Sequence, residues 1–448
     1  MNASSTANKV FTLTFGCQMN ELDTELALSV LGEDGASTVE SSEDANIVVV
    51  NTCSIREQAE NKAYSFLGTL KKRKREDPSL VIAVIGCMAQ KEGKLIFRRA
   101  PYVDIVAGTK HFTRINDYVG QVQNEGKRIL ALDRDEKVQT ERRAIKVRPD
   151  EYTGYIAVMR GCDHHCTYCV VPNTRGIEQS KPLEEVVREA EILVGDGVSE
   201  ITLLGQNIDS YGKRLSPRSS LAELIRRVAE VPGLKRLRFI TSHPADIKPE
   251  LIECFKPGEV PQLMPYFHFP GQAGSDSVLK RMRRGYTFDR YMEIVNEVRA
   301  VRPDVGIAGD TIVGFSGETE ADFERTLELH RQVRYQQCFM FTYSERAYTP
   351  AVKLDIADDV PLAVKKERHQ RLLKLQRTIQ EEENQKKVGV EYEVLVEGPS
   401  RSDPEVFASR TPQNQLVHFK SGRLELAGKY VNVRVTQATD LALYGELL

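Results

Sequence analysis

The sequence predicts an α/β protein in three parts: an N-terminal parallel-sheet domain, a partial (β/α)6 barrel and a small C-terminal β-barrel. Three observations carry this. First, apolar β-branched runs alternate with helix-like stretches, the pattern of right-handed βαβ units. Second, the alternation resumes on a longer scale after residue 151. Third, from about residue 389 helical patterns give way to short alternating strands, a texture that fits a barrel of about 60 residues. The expected divisions are 1–145, 146–380 and 381–448.

The elements follow in order. MNASSTANKV has no apolar core for a signal peptide and reads as a loose tail. VFTLTFGC, ANIVVVNTC and LVIAVIGC are strand-like runs that end at Cys17, Cys53 and Cys87. ELDTELALSVL and SIREQAENKAYSFLGTLKKR read as the helices between them, and DIVAGT (104–109) as a further strand. Residues 121–150 are polar and charge-dense, a linker with room for one strand. YIAVMR (155–160), EITLLG (200–205), KRLRFI (235–240), YFHF (266–269), VGIAGDTIVG (305–314) and QCFMFTY (337–343) are six barrel strands. Six βα units make an open barrel rather than the full eight. Residues 361–387 form one long amphipathic helix. EYEVLVEG, QLVHFK, LELAG and KYVNVRVTQA supply the last strands.

Lys and Arg total 62 against 64 Asp and Glu, a net charge of −2, which excludes a globally basic nucleic-acid coat and an acidic tail protein. With 41% hydrophobic and 28% charged residues, the chain is globular rather than disordered. The longest apolar runs, IVVV (47–50) and LVIAVI (80–85), fall far short of the ~18 residues of a membrane span. A soluble, cytoplasmic, monomeric protein with no membrane partner is expected. KKRKR (71–75), ERRAIKVR (141–148) and KRMRRG (280–285) are local basic clusters, each a solvated face or a phosphate contact.

The eight cysteines decide the chemistry. RGCDHHCTYCVVPNTRG places Cys162, Cys166 and Cys169 in a C-x3-C-x2-C loop. Three thiolates in one short loop suit three irons of a [4Fe–4S] cluster, with the fourth iron open for ligand. A zinc knuckle using His164 or His165 is the rival reading, although zinc knuckles pair two C-x2-C elements and only one is present here. Cys17, Cys53 and Cys87 are 36 and 34 residues apart, about one βα unit each. Parallel strands point the same way, so their C-terminal ends share the edge where open α/β sheets place ligands. Three buried structural thiols or a second cluster fit that placement, and the repeated strand-end turns argue for the cluster. Cys254 and Cys338 fit no cluster spacing and read as structural.

These motifs resemble the radical S-adenosylmethionine (SAM) methylthiotransferase family over residues 9–447. TFGCQMN, NTCSIRE, GCMAQ, RGCDHHCTYC, TLLGQN, TSHP, DTIVGF and GET carry the resemblance. CQMN and LLGQN resemble the tRNA-modifying branch rather than the branch that acts on a ribosomal protein. The resemblance implies a barrel cluster held by Cys162, Cys166 and Cys169, which chelates SAM, and an auxiliary cluster on Cys17, Cys53 and Cys87. It implies insertion of a methylthio group at C2 of N6-isopentenyladenosine, 3′ of the tRNA anticodon, with two SAM molecules. A flavodoxin or ferredoxin type of electron donor is implied as well. SAM contacts are expected at Tyr168 in the cysteine loop and at the strand ends: Gly205, Gln206 and Asn207, then Ser242, Gln272 and Asp310. His243 is a further candidate or a satisfied histidine. The C-terminal barrel resembles a TRAM domain, an RNA-binding module, although residues 385–448 carry no net charge. Two departures from relatives are notable. PGQAGS replaces PVQSGS, which leaves no hydroxyl at Ala273, and Asn173 stands where an aromatic is common. Rival functions are a methylthiotransferase for another adenosine derivative or a protein, and a non-catalytic cluster-holding protein.

Overall fold

The computed structural model describes residues 8–54, 57–133, 152–354, 356–400, 403–422 and 425–448. The basic run 141–148 and the expected 145/146 division lie outside them.

The first part is a parallel sheet of β1 (Lys9–Phe15), β2 (Ser37–Thr38), β3 (Ile47–Thr52), β4 (Val81–Ile85), β5 (Ile105–Ala107) and β6 (Ile129–Ala131), in the order β2-β1-β3-β4-β5-β6. IVVV and VIAVI are buried throughout, because helices cover both faces of a parallel sheet. Three of those helices are α1 (Gln18–Glu33), α2 (Glu57–Glu76) and α3 (Cys87–Glu92). Two elements escape the sequence pattern. β2 is two residues long and polar. The supposed linker holds the end of a helix, Ile115–Glu125, and the edge strand β6. The helix buries Ile115, Tyr118 and Val119 at helical spacing, so its apolar face lies mostly before residue 121.

The second part is an open arc of six parallel strands: β7 (Thr153–Ala157), then, past the short antiparallel pair β8 (Met159–Arg160) and β9 (Gln179–Ser180), β10 (Glu200–Leu204), β11 (Arg236–Phe239), β12 (Tyr266–His268), β13 (Gly306–Val313) and β14 (Gln337–Thr342). A parallel bridge, Leu237 to Leu263, joins the two halves of the arc. β8 and β9 clamp the two ends of the cysteine loop. Ala157 and Leu204 share one apolar core with Leu22 and Leu26 of α1, so the N-terminal domain closes against the arc's β7 edge.

The third part is a closed barrel of β15 (Glu391–Pro399), β16 (Val406–Arg410), β17 (Leu416–Lys420), β18 (Tyr430–Ala438) and β19 (Leu443–Leu447). It plugs the N-terminal end of the arc. Arg236 and Arg238, both 2% exposed, donate to the backbone carbonyls of Glu393, Arg410, Thr411 and Pro412, while Glu200 pairs with Arg238 at 2.9 Å. The long helix Leu362–Gln385 fastens the plug from outside, through Asn384 to the Thr439 carbonyl and Gln376 to the Tyr335 carbonyl. That leaves the C-terminal end of the arc for chemistry. Among the described residues no helix is long and apolar enough to cross a membrane.

Candidate functional site

The N-terminal site grows from the sheet order. Cys17, Cys53 and Cys87 follow β1, β3 and β4, which are adjacent, and the β1–β3 junction is where the chain's direction of winding reverses. Ligand crevices form at such a junction. Two glycines make the convergence possible. A Cβ on Gly16 would lie 2.8 Å from the Cys53 Cβ, and one on Gly86, at φ +90°, 2.1 Å from Asn51 Oδ1. Asn51 in turn ties β3 to α1, donating to the Asn20 carbonyl at 2.8 Å and accepting from Asn20 Nδ2 at 2.9 Å.

The triad is electropositive. Cys17 precedes the first turn of α1 and Cys87 opens α3, so helix N-termini face the sulfurs. The Cys17 thiol is lowered to about 6 by its hydrogen bond with Cys53, against its burial, with help from the Arg175 charge and the amides of Asn20 and Met19. Burial pushes Cys87 up, and Arg175 opposes it. Arg175 sits on the far side, donating to Asp23 at 2.9 Å. Its other terminal nitrogen, Nη1, is buried with no hydrogen-bond partner, as are Thr52 Oγ1 and Ser54 Oγ on either side of Cys53. Unpartnered donors around three thiols fit an anionic, sulfur-rich group such as an iron–sulfur cluster.

The barrel triad is enclosed to the same degree, with two thiols buried and one partly so in each triad. Cys162 and Cys166 are buried and Cys169 is partly so. Burial raises Cys162 to about 11 and Cys169 to about 12. A close cation is Arg284, 5% exposed, whose Nη1 lies 3.4 Å from Cys166 Sγ and 3.3 Å from the Tyr168 hydroxyl, and whose Nε donates to Tyr286 at 3.1 Å. Arg284 belongs to KRMRRG, so the reading of that cluster as a solvated or phosphate-binding face is corrected. Arg281 likewise donates to the Ser316 carbonyl, and only Lys280 and Arg283 remain exposed. In KKRKR, Lys74 pairs with Asp104 and Arg73 donates to the Ser42 and Ala45 carbonyls, which leaves Lys71, Lys72 and Arg75 as the solvated part.

The expected strand-end residues gather at this end but are mostly engaged with protein. Gln206 accepts from the Gly161 amide at 2.5 Å and so holds the start of the cysteine loop. A Cβ at Gly205 would lie 2.8 Å from Met159 Cγ, so the glycine serves packing rather than ligand approach. Asn207 donates to Asp246 at 2.6 Å, and its Oδ1 is left buried and unpartnered. Ser242 donates to Asp209, whose carboxyl is raised to about 7 by burial. His243 is not a satisfied histidine: its Nε2 is unpartnered, and burial, with Arg284 and His164 nearby, holds it neutral. Gln272 sits at φ +65°, and its amide donates to the Asp310 carbonyl. Asp310 lies 3.3 Å from His268 Nε2. The unpartnered Asn207 Oδ1 and His243 Nε2, beside three thiols, fit a polar ligand at an open cluster position. The zinc alternative loses its histidine: His165 is exposed, and His164 is turned to Asp246 at 2.6 Å and stacked on His243 at 3.9 Å. Those three groups approach within 4.8 Å of one another, but Asn207 and Lys213 also occupy the Asp246 oxygens. Cys254 and Cys338 are buried away from both triads.

One short segment joins the triads. Arg175 stands six residues beyond Cys169, on the turn that ends the helix Val171–Thr174. Arg160, just before the cysteine loop, pairs with the same Asp23 at 2.8 Å, and Thr109 donates to the Thr174 carbonyl at 2.7 Å. Sequence reading missed Arg175, Arg284 and Asp23. The first two lay inside quoted motifs, but nothing local marks a buried arginine.

Comparison with known proteins agrees with this layout. Residues 9–108 match the uncharacterized protein family UPF0004, residues 156–330 the radical SAM superfamily and residues 385–448 the TRAM domain. The tRNA-2-methylthio-N(6)-dimethylallyladenosine synthase of Geobacter metallireducens is 44% identical over 438 residues, 97% of each chain. That of Syntrophotalea carbinolica is 43% identical over 434 residues, 97% of this chain and 98% of its own. Among solved structures, the radical S-adenosylmethionine methyltransferase TsrM from Kitasatospora setae superposes with a TM-score of 0.55 at 14% identity, over 77% of each chain, a likeness of fold. The chain belongs to the tRNA-2-methylthio-N(6)-dimethylallyladenosine synthase family of the radical SAM superfamily.

Proposed function

We propose that this enzyme inserts a methylthio group at C2 of N6-isopentenyladenosine next to the tRNA anticodon, with two [4Fe–4S] clusters and SAM as cofactors. The observation that carries this is the pair of three-cysteine sites at one end of the arc, linked through Arg175 and Asp23. Relatives at 43–44% identity named for this product support it. Labour is divided among 1–145, 146–380 and 381–448. Cys17, Cys53 and Cys87 hold the auxiliary cluster, and Cys162, Cys166 and Cys169 the SAM-binding one. When bound, SAM and its cluster supply the radical that removes the C2 hydrogen, and a second SAM supplies the methyl group.

The chain's own residues position and exclude. Gln206 and Arg284 fix the cysteine loop, Asn207 Oδ1 offers an acceptor to the SAM amino group, and His243, whose Nδ1 accepts from the Ala245 amide, offers its Nε2–H as a donor to the SAM carboxylate. Tyr168, Ser242, Gln272 and Asp310 line the rim where SAM and the base meet. The closed C-terminal barrel shuts the far end against water. C2 lies on the base edge, so the nucleotide leaves its stack to reach this end. The tRNA partner is held in part by the TRAM-like barrel. The electron donor is of flavodoxin or ferredoxin type, and the enzyme is a cytoplasmic monomer. Anticodon stem-loops with and without the isopentenyl group, at equal SAM, test the substrate. Methylthio transfer is expected mainly on the first, because burying five carbons contributes a few kcal/mol at ~0.8 per CH2. Equal rates on both would move the enzyme to another adenosine derivative.

A further inference from the structure

Between Arg346 and Thr349 the chain makes a tight turn: the Thr349 amide donates to the Arg346 carbonyl at 3.3 Å, and the Thr349 hydroxyl donates to the same oxygen at 2.8 Å. Tyr348 holds the third position of that turn at φ +69°, the left-handed backbone that a type II turn requires and that glycine or asparagine normally supplies. A bulky side chain there is an outlier and costs stability. Packing does not offset that cost. Tyr348 is 54% exposed, and among the described residues neither its ring nor its hydroxyl has a partner. The turn is instead fastened where the chemistry is. It follows the C-terminal end of β14, on the side of the arc whose loops carry function. Asn173, four residues beyond Cys169, donates to the Tyr348 carbonyl at 2.5 Å. The Ala351 amide donates at 2.8 Å to the carbonyl of Thr167, inside the cysteine loop. From the N-terminal domain, Glu60 of α2 pairs with Arg346 at 4.0 Å. The ring therefore stands at the seam between the two cysteine-bearing domains. Strained residues held by their surroundings cluster at ligand-binding sites, and an exposed aromatic face is a platform for an unpaired base.

We propose that Tyr348 is an RNA-contact residue: its ring stacks on an unpaired base of the anticodon loop and holds that loop at the mouth of the arc while the target adenosine is turned out of its stack. This rests on reading the enzyme as one that acts on tRNA. Stacking uses only the π-face of the base, so the contact positions the loop without reading its sequence. It also accounts for the residue type, since a glycine would suit the turn but would offer no ring.

The test measures two quantities on the full-length, anaerobically reconstituted protein: the midpoint of denaturant unfolding, and affinity for an isopentenylated anticodon stem-loop by fluorescence anisotropy. Tyr348→Gly relieves the backbone and removes the ring, whereas Tyr348→Phe keeps both. The glycine variant should unfold at no lower denaturant than the parent, yet bind the stem-loop roughly 5- to 150-fold more weakly, the range for one stacked base. The phenylalanine variant should bind like the parent. Replacing the loop's nucleotides one at a time by abasic sites should reveal a position whose loss weakens binding to the parent and not to Tyr348→Gly. Unchanged affinity in the glycine variant, an equal loss in Tyr348→Phe, or an abasic scan with no such position would overturn the contact. A lower unfolding midpoint for Tyr348→Gly would overturn it as well, by making the ring structural. A parent protein that does not bind the stem-loop would instead remove the tRNA reading on which the contact stands.

Discussion

The two cysteine triads solve the same problem in opposite surroundings. The N-terminal one is assembled from three strand ends 36 and 34 residues apart, under helix N-termini and a buried arginine, and its first thiol is lowered to about 6. The barrel triad comes from one eight-residue loop, and burial holds two of its thiols at about 11 and 12. A short loop brings its three sulfurs close by chain connectivity, and Gln206 and Arg284 then fix it. Three separate strand ends need the environment, and the Asn20–Asn51 pair and the glycines before Cys17 and Cys87 supply it. The difference lies in the electrostatics: the Cys53 hydrogen bond and the Arg175 charge lower the first thiol of the N-terminal triad, while burial raises two thiols of the barrel triad.

The largest expected effect separates the triads outright. Cys162→Ala and Cys53→Ala should each lower the iron content of the reconstituted protein to about half, since thiolates are the ligands. Full iron retention in either variant would remove that triad from the account.

Next in size is Arg284, a cation beside the barrel triad. Arg284→Met leaves Cys166, Tyr168 and Tyr286 without their shared donor, and should cost about 2–4 kcal/mol of stability by denaturant unfolding. Lys71→Ala, on a solvated helix face, should stay within about 0.5 kcal/mol. Similar values for the two would return KRMRRG to the surface.

The thiols of the cluster-free protein sharpen the comparison. Cys17 is partly exposed and lowered to about 6, so at pH 7 it is mostly thiolate, whereas an ordinary thiol is only about 3 per cent ionised. Alkylation mapped by mass spectrometry should find Cys17 modified first. Its rate should be flat above pH 7 and fall about tenfold per unit well below pH 6, because protonation removes the nucleophile. Cys162 and Cys169 should lag, and their rates should still be rising at pH 9. Equal reactivity across the six cysteines would erase the electrostatic contrast.

The smallest effect concerns the opposite end of the arc. Tyr444, 40% exposed on β19, offers a face for base stacking, and Tyr444→Ala should weaken tRNA binding by about 1–3 kcal/mol while SAM cleavage persists. Deleting residues 389–448 is a poorer test of RNA binding. Arg236 and Arg238 would lose four carbonyl acceptors in a buried position, so the truncated chain should lose stability as well. A truncated chain as stable as the full one would show that the plug is dispensable.

Much of this was legible in the sequence because it is local or periodic. The six barrel strands and the strand-end positions of Cys17, Cys53 and Cys87 follow from apolar runs and βα spacing, and the C-x3-C-x2-C loop is contiguous. What was not legible depends on partners far away in the chain. Arg284 reads as part of a charged run until Cys166, 118 residues earlier, comes to lie beside it. Arg175 finds Asp23 across 152 residues, and Arg238 finds Thr411 across 173. Gln206 and Gly205 were legible as residues of a motif, but not as the props of the cysteine loop that their contacts with Gly161 and Met159 make them.

The central claim is that the triads do different work in one reaction. Its most direct test incubates reconstituted wild-type, Cys162→Ala and Cys53→Ala proteins with SAM, a reductant and an isopentenylated anticodon stem-loop. Both 5′-deoxyadenosine and the methylthio nucleoside are then counted by mass spectrometry. The account predicts both products from wild type and neither from Cys162→Ala. Cys53→Ala should release 5′-deoxyadenosine with no methylthio nucleoside. A methylthio nucleoside formed by Cys53→Ala at the wild-type rate would contradict it.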